Sequence, residues 1–119
     1  MLTIDCDCTG ILSVFIPRIK LAVQILRQQA WGLKAIVLFG SVATGMFGIN
    51  SDIDLLVILD GPEDFIDCNS SAEDVVNAVL GSGPPVQIIT TTLESWLDYS
   101  RDTFFKDEVG REGIILWKK

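Results

Sequence analysis

The sequence predicts a single α/β (α+β) domain over residues 1–119, and three observations carry that reading. Apolar residues recur at helical spacing between Phe15 and Ala30. Short apolar runs at 35–39, 52–59 and 86–90 have the length and β-branched content of strands and alternate with helical stretches. Glycine and proline punctuate the joins, at Asp60-Gly61-Pro62 and between Gly81 and Pro85. A chain of 119 residues is long enough for one core and too short for a second folded unit.

Residues 1–13 are weakly patterned and are expected to form at most a short extended segment. A helix is expected from near Pro17, a residue tolerated in a first turn. Phe15, Ile19, Ala22, Leu26 and Ala30 face inward, Arg18, Arg27 and Gln28 face outward, and Gly32 ends the helix. Val14, Leu21 and Ile25 widen its stripe enough to cover a sheet face or reach a second subunit. The strand at 35–39 breaks at Gly40-Ser41, and a second strand opens with Asp52-Ile53-Asp54. An acidic loop follows at 63–69. Ser70 and Glu73 make a capping box for a helix whose inner stripe is Ala72, Val75, Val76, Val79 and Leu80. After the strand at 86–90, Thr91 and Glu94 make a second capping box. It opens one helix through about Val109 that buries Leu93, Trp96, Leu97 and Phe104, and residues 114–117 form a closing strand.

The stretch 35–59 carries the chemistry. Where a chain leaves a buried strand and enters a helix, several backbone N–H groups lack partners, and the partial positive charge there favours phosphate oxygens. Gly40 lets the backbone come close to an anion, and Ser41 adds a hydroxyl donor. Strand side chains alternate, so Asp52 and Asp54 share a face while Ile53 and Leu55 enter the core. Two carboxylates roughly 6.5 Å apart along a strand repel by about 2–3 kcal/mol at an effective dielectric near 20, and a cation between them relieves this. A few oxygen ligands with positions left for phosphate and water suit Mg²⁺ better than Zn²⁺. An isolated Asp-x-Asp is ordinary at the head of a strand. Gly-Ser upstream, with an apolar strand on each side, turns it into a site for a nucleoside triphosphate and its metal ions. A P-loop is excluded because no lysine lies between Lys34 and Lys106, and Gly40-Ser41-Val42 already fails a dinucleotide fingerprint.

Composition narrows the function further. A net charge of -7 and a pI near 4.3 make direct binding of long nucleic acid improbable for the lone chain. Histidine is absent, which removes His-bearing triads and His-ligated zinc. Cys6, Cys8 and Cys68 are an odd set and too few for a closed metal site, so they read as reduced structural thiols. Hydrophobic residues make up 49% of the chain and mean hydropathy is +0.42, high enough to expect part of that surface in an interface, either a homodimer or a contact with another protein. Charged residues interrupt every apolar run before membrane-spanning length, and MLTIDCDCTG lacks the basic start of a signal peptide. The expected location is the cytoplasm.

In Phe39-Gly40-Ser41, the spacer of about ten residues, and Asp52-Ile53-Asp54-Leu55, with Gly45 and Ser51 in context, the sequence resembles the minimal nucleotidyltransferases of the DNA polymerase beta-like superfamily. The resemblance is specific in the motif and looser over most of the rest. It implies the nucleotidyltransferase fold, a small mixed β-sheet flanked by helices. It also implies Mg²⁺-dependent transfer of a nucleoside monophosphate, AMP from ATP, to a hydroxyl acceptor. In this reading Gly40 and Ser41 hold the triphosphate, and Asp52 and Asp54 hold the metal. Small members of the family are paired as antitoxins with a helical HEPN-type toxin and modify a tyrosine of that partner. The lone domain is expected to lack an acceptor pocket. Two departures stand out. The family's third carboxylate, on the strand after the second helix, falls at Gln87, which can offer an amide oxygen but cannot accept a proton. Basic residues common in the turn are replaced by Val42 and Thr44. The alternative is therefore a catalytically degenerate nucleotide-binding or protein-interaction module of the same fold.

Overall fold

The computed structural model describes residues 15–29, 32–45, 51–61, 73–98, 100 and 103–119. The expectations for residues 1–13, the acidic loop at 63–69, Ser70 and Ala72 lie outside them, as do the three cysteines. In chain order the elements are α1 (Phe15–Gln29), β1 (Leu33–Phe39), α2 (Gly40–Thr44) and β2 (Ile53–Leu59). Then come α3 (described helical residues 73–80), β3 (Val86–Thr92), α4 (Leu93–Leu97), α5 (Thr103–Glu112) and β4 (Ile114–Lys118).

The strands form one mixed sheet in the order β3-β2-β1-β4. β1 is antiparallel to both β2 and β4, while β2 and β3 run parallel. β2 is covered on both faces over residues 55–59, which explains why LLVIL shows no polar alternation. Its Ile53, Leu55, Val57 and Leu59 join Ile36, Leu38 and Leu116 beneath α1, where Phe15, Ile19, Ala22, Val23 and Leu26 supply the helical stripe. Leu56 and Ile58 point the other way and pack with Val37 and Val109, flanked by Phe39, Trp96 and Phe105.

Arg18 is half-buried and not free in solvent. Its guanidinium donates to the carbonyl oxygens of Pro84 (2.9 Å) and Ser82 (3.0 Å), fastening α1 to the turn before β3. A planar, multi-donor group satisfies several carbonyls of one turn at once, which a helical wheel cannot reveal. Arg27 does reach the surface, and its guanidinium lies 5.3 Å from the centre of the Trp117 ring.

Glu73, whose expected capping partner Ser70 lies outside the described residues, reaches across to β3. Its carboxylate accepts from the Ile88 amide at 2.8 Å, and the Asn77 side chain both accepts from Val86 N and donates to Val86 O. These two α3 side chains satisfy the outer edge of β3, blunting an otherwise open strand edge. Val76 is buried and Val75 and Leu80 are half-buried, but Val79 is exposed.

The expected helix through Val109 is two helices. The cap is Thr92 rather than Thr91, accepting from Ser95 N at 3.1 Å, and α4 stops at Asp98, whose backbone is extended. Asp98 Oδ1 accepts from both the amide and the hydroxyl of Ser100, a local competition that draws the chain out of the helix. Lys106, only 4% exposed, donates to the carbonyl oxygens of Ser95 and Asp98 and holds the elbow. The break shifts the phase of everything after it. Phe104 is 83% exposed rather than buried, while Phe105 and Val109 turn inward; Leu97, the last residue of α4 before the break, is also 66% exposed. Leu93 and Trp96 are half-buried as part of the second core.

Candidate functional site

Antiparallel pairing sets Phe39 opposite Asp54, so the chain turns into α2 directly beside the acidic head of β2. Gly40 takes a left-handed φ of 78°. A Cβ built there would collide with the Asp54 carboxylate oxygen and sit 3.2 Å from Asp54 Cγ. The glycine is therefore required by the carboxylate itself, over and above any approach of an anion. Phe39 caps α2 with extended backbone and no side-chain hydrogen bond, and Gly45 closes it in the left-handed region. Ser41 is half-buried at the start of this turn, and its carbonyl accepts from the Thr44 hydroxyl.

Asp52 lies just before β2 and Asp54 within it, both half-buried. Burial, and secondly the charge of Asp52, hold the Asp54 carboxyl above its ordinary value of 3.8. The pair is thus self-repelling and partly desolvated, an environment that favours either a proton or a cation. Because the folded-state value is the higher one, the stability contributed by this group is whole below the unfolded value and is lost as pH rises through the folded value. At neutral pH the ionised pair opposes folding. Asp54→Asn is expected to raise the metal-free melting temperature at pH 7, with a gain that shrinks as the pH approaches the unfolded carboxyl value. A thermal series across acidic pH checks this, and no gain at pH 7 would mean that the folded environment does not disfavour the charge.

The parallel register of β2 and β3 puts Gln87 beside Asp54. Both sit on the face of the sheet that carries Leu56 and Ile58, with Gln87 exposed to solvent. Among the described residues no group of three Asp, Glu, Cys or His side chains is arranged to hold a metal. The donor set at this point is two carboxylates and a neutral amide. That set fits a hard cation completed by water and phosphate oxygens.

Three cavities share this face. A small one of about 130 Å³ is lined by Phe39, Gly40, Phe105, Val109, Glu108 and Glu112, so α5 places two carboxylates next to the turn. The single-helix reading missed them, although their i, i+4 spacing on α5 was present in the sequence. A second, about 270 Å³, lies between β3, α4 and α5. A larger apolar one, about 410 Å³ and including Lys34, Ile58, Trp96 and Lys118 in its lining, lies toward the opposite end of β1 from Phe39. It therefore plays no part at the acid pair.

Solved structures resemble this fold. A chain of a toxin–antitoxin complex with AMP-PNP is 25% identical, with a TM-score of 0.64 over 84% of this chain and 73% of that one. A chain of the MntA-HepT toxin–antitoxin is 22% identical, with a TM-score of 0.59 over 87% and 72%. A chain of the complex between the tri-AMPylated Shewanella oneidensis HEPN toxin and its MNT antitoxin is 22% identical, with a TM-score of 0.54 over 86% and 73%. No curated protein matches the sequence. The family model for the nucleotidyltransferase domain matches residues 19–111, which takes in most of α1, the Gly40-Ser41 turn, both aspartates and most of α5. The chain belongs to the nucleotidyltransferase domain family.

Proposed function

We propose that this chain is a magnesium-dependent nucleotidyltransferase that attaches AMP from ATP to a hydroxyl of a HEPN-type toxin, acting as its antitoxin in the cytoplasm. The observation that carries the reading is the fit of Gly40 against Asp54 beside a self-repelling acidic pair. It brings the anion-binding turn and the cation-binding carboxylates into contact. The adenine nucleotide is suggested by the AMP-PNP complex. The partner is suggested by the MntA-HepT and MNT–HEPN complexes.

Asp52 and Asp54 would hold Mg²⁺, and Gly40 and Ser41 would take the triphosphate through backbone N–H and hydroxyl donors. When bound, the ion neutralises charge developing on the attacking and leaving oxygens. The chain's own contribution is placement. Gly40 fixes where the Asp54 carboxylate lies, β2 holds both aspartates against the core, and the Gln87 amide can orient a hydroxyl by hydrogen bonding without taking its proton. The position of Gln87 beside Asp54 also favours a second reading, a module that binds Mg²⁺ and nucleotide but has lost transfer.

Mg²⁺ with ATP is expected to raise the melting temperature of the wild type. Ligand at a hundredfold excess over its dissociation constant stabilises by about 2.7 kcal/mol. The rise should vanish in the Asp52→Asn, Asp54→Asn double variant. An equal rise in both proteins would place the nucleotide elsewhere, and a rise without any transfer to a HEPN partner would favour the degenerate module.

A further inference from the structure

The cavity of about 410 Å³ at the far end of β1 falls within the roughly 300–1,000 Å³ of pockets that take small organic ligands. Ala35 stands between Ile58 of β2 and Lys118 of β4, and Val37 stands beside Ile115. Ile115 and Lys118 are three residues apart, so a regular strand would turn them to opposite faces. Both line the cavity because the pairing steps from Ile36 with Trp117 to Val37 with Ile115, one residue on β1 against two on β4. Such a bulge re-aims side chains and is common beside functional sites.

The lining is aliphatic with one aromatic wall, Trp96, and its charge has one sign. Lys34, Lys118 and Lys119 line it, three of the chain's five lysines, the others being Lys20 and Lys106. No Asp or Glu is among the described lining residues, although Asp and Glu outnumber Lys and Arg in the chain by 16 to 9. Lysine stems cover apolar surface while their ammonium heads stay near water, so the cavity is apolar within and cationic at its mouth. Lys34 has an ion pair with Asp60 at 3.9 Å, but the Asp60 side chain is 63% exposed, and a long, solvated pair leaves the ammonium available to a better partner.

Gly110 is a second, independent sign of a built site. It lies within α5, where glycine is less stable than alanine, yet a Cβ there would meet nothing within 4 Å. No crowding requires this glycine. A side chain would instead enter the cavity that Gly110 lines. Gly113 differs, since its Cβ would lie 2.5 Å from Val109 O and 2.8 Å from Val37 Cγ1. The same helix end also selects among anions. Val109, Gly110 and Gly113 bring the C-terminal end of α5 to the cavity, and its partial negative charge opposes a multiply charged phosphate more than a single carboxylate.

We propose that this cavity binds a small organic anion, one carboxylate on an aliphatic body, with the body against Trp96, Ile58 and Ile115 and the carboxylate held by Lys34 and Lys118. The site is separate from the acid pair and does not depend on nucleotidyl transfer.

Octanoate, octanol and octylammonium, kept below micelle-forming concentrations, are the probes, and backbone-amide NMR of the full chain gives both location and affinity. Octanoate should move the resonances of Ala35, Ile58, Trp96 and Ile115 saturably, with the same dissociation constant when Mg²⁺-ATP is present. Octanol should bind about tenfold or more weakly for want of charge-assisted contacts, and octylammonium should leave those resonances in place. The Lys34→Glu, Lys118→Glu double variant, altered at a half-buried and an exposed position, should lose octanoate and take octylammonium instead. Gly110→Leu should melt no lower than wild type and should no longer respond to octanoate. Octanoate shifts that are absent, unsaturable or located elsewhere would overturn the proposal. Equal binding of octanoate and octanol would do the same, reducing the lysines to counter-charges for the end of α5. Displacement of octanoate by ATP would overturn it by making the cavity part of a nucleotide site. So would a double variant with unchanged preference, or a Gly110→Leu protein that binds as wild type. Should the double variant fail to fold, the three probes and Gly110→Leu still decide.

Discussion

Gly40→Ala is expected to destabilise the metal-free chain by about 2–4 kcal/mol and to remove its response to Mg²⁺-ATP. Two costs combine. The left-handed φ of 78° disfavours any side chain by about 1–2 kcal/mol. The new methyl would also press on the Asp54 carboxylate and come within 3.3 Å of Asp54 Cβ. Asp54 is flanked in sequence by Ile53 and Leu55, both fully buried, so the strand cannot retreat and the carboxylate must swing out of place. Gly45→Ala is the control, because its φ is 81° but nothing lies within 4 Å of the added methyl. It should cost only the backbone strain and leave nucleotide binding intact. Denaturant unfolding and a thermal-shift titration on both variants separate the two terms. If Gly40→Ala behaves no worse than Gly45→Ala, the close fit of turn and carboxylate has no consequence for the site.

Such local features were legible in the sequence because their causes are local. An apolar run, a glycine, a serine and an alternating acid pair within 35–59 specify strand, turn and strand through neighbours only. The register that sets Gln87 beside Asp54 follows for a similar reason. Pro84-Pro85 fixes where β3 can begin, and an alternating strand leaves no freedom in which residues share Asp54's face. What stayed hidden depends on long-range partners. Leu93, Trp96, Leu97 and Phe104 fit a helical period as well as any true stripe. The break after Leu97 is held by an ammonium that returns from Lys106 to carbonyls eleven and eight residues earlier. With the phase lost, Phe105, Glu108 and Val109 could not be assigned to the face they occupy, nor could the cavity they help to shape be seen. The Glu73 carboxylate accepts from an amide fifteen residues away, a contact that no local pattern announces. Arg18 looks like a surface cation until the turn before β3 is folded against it.

Gln87 offers the sharpest test of chemistry. Paired in register with Asp54 and open to solvent, it can become Asp or Glu without burying a charge. Gln87→Asp adds an anionic metal ligand and a proton acceptor beside Asp54. General-base assistance is worth about 10²–10⁴ in rate, so a gain of about tenfold is a conservative expectation for AMP transfer to a cognate partner with labelled ATP and Mg²⁺. The same carboxylate should raise self-repulsion in the absence of metal, since Asp54 already carries a carboxyl shifted upward by burial and by Asp52. The variant should therefore melt lower than wild type in chelator and recover when Mg²⁺ returns. Rate and metal response must move together. A fast wild type slowed by the change would mean that water serves as the proton acceptor and that the amide's neutrality is part of the working site. A variant indistinguishable from wild type in both measurements would mean that the position beside Asp54 touches neither metal nor acceptor, whatever its register in the sheet.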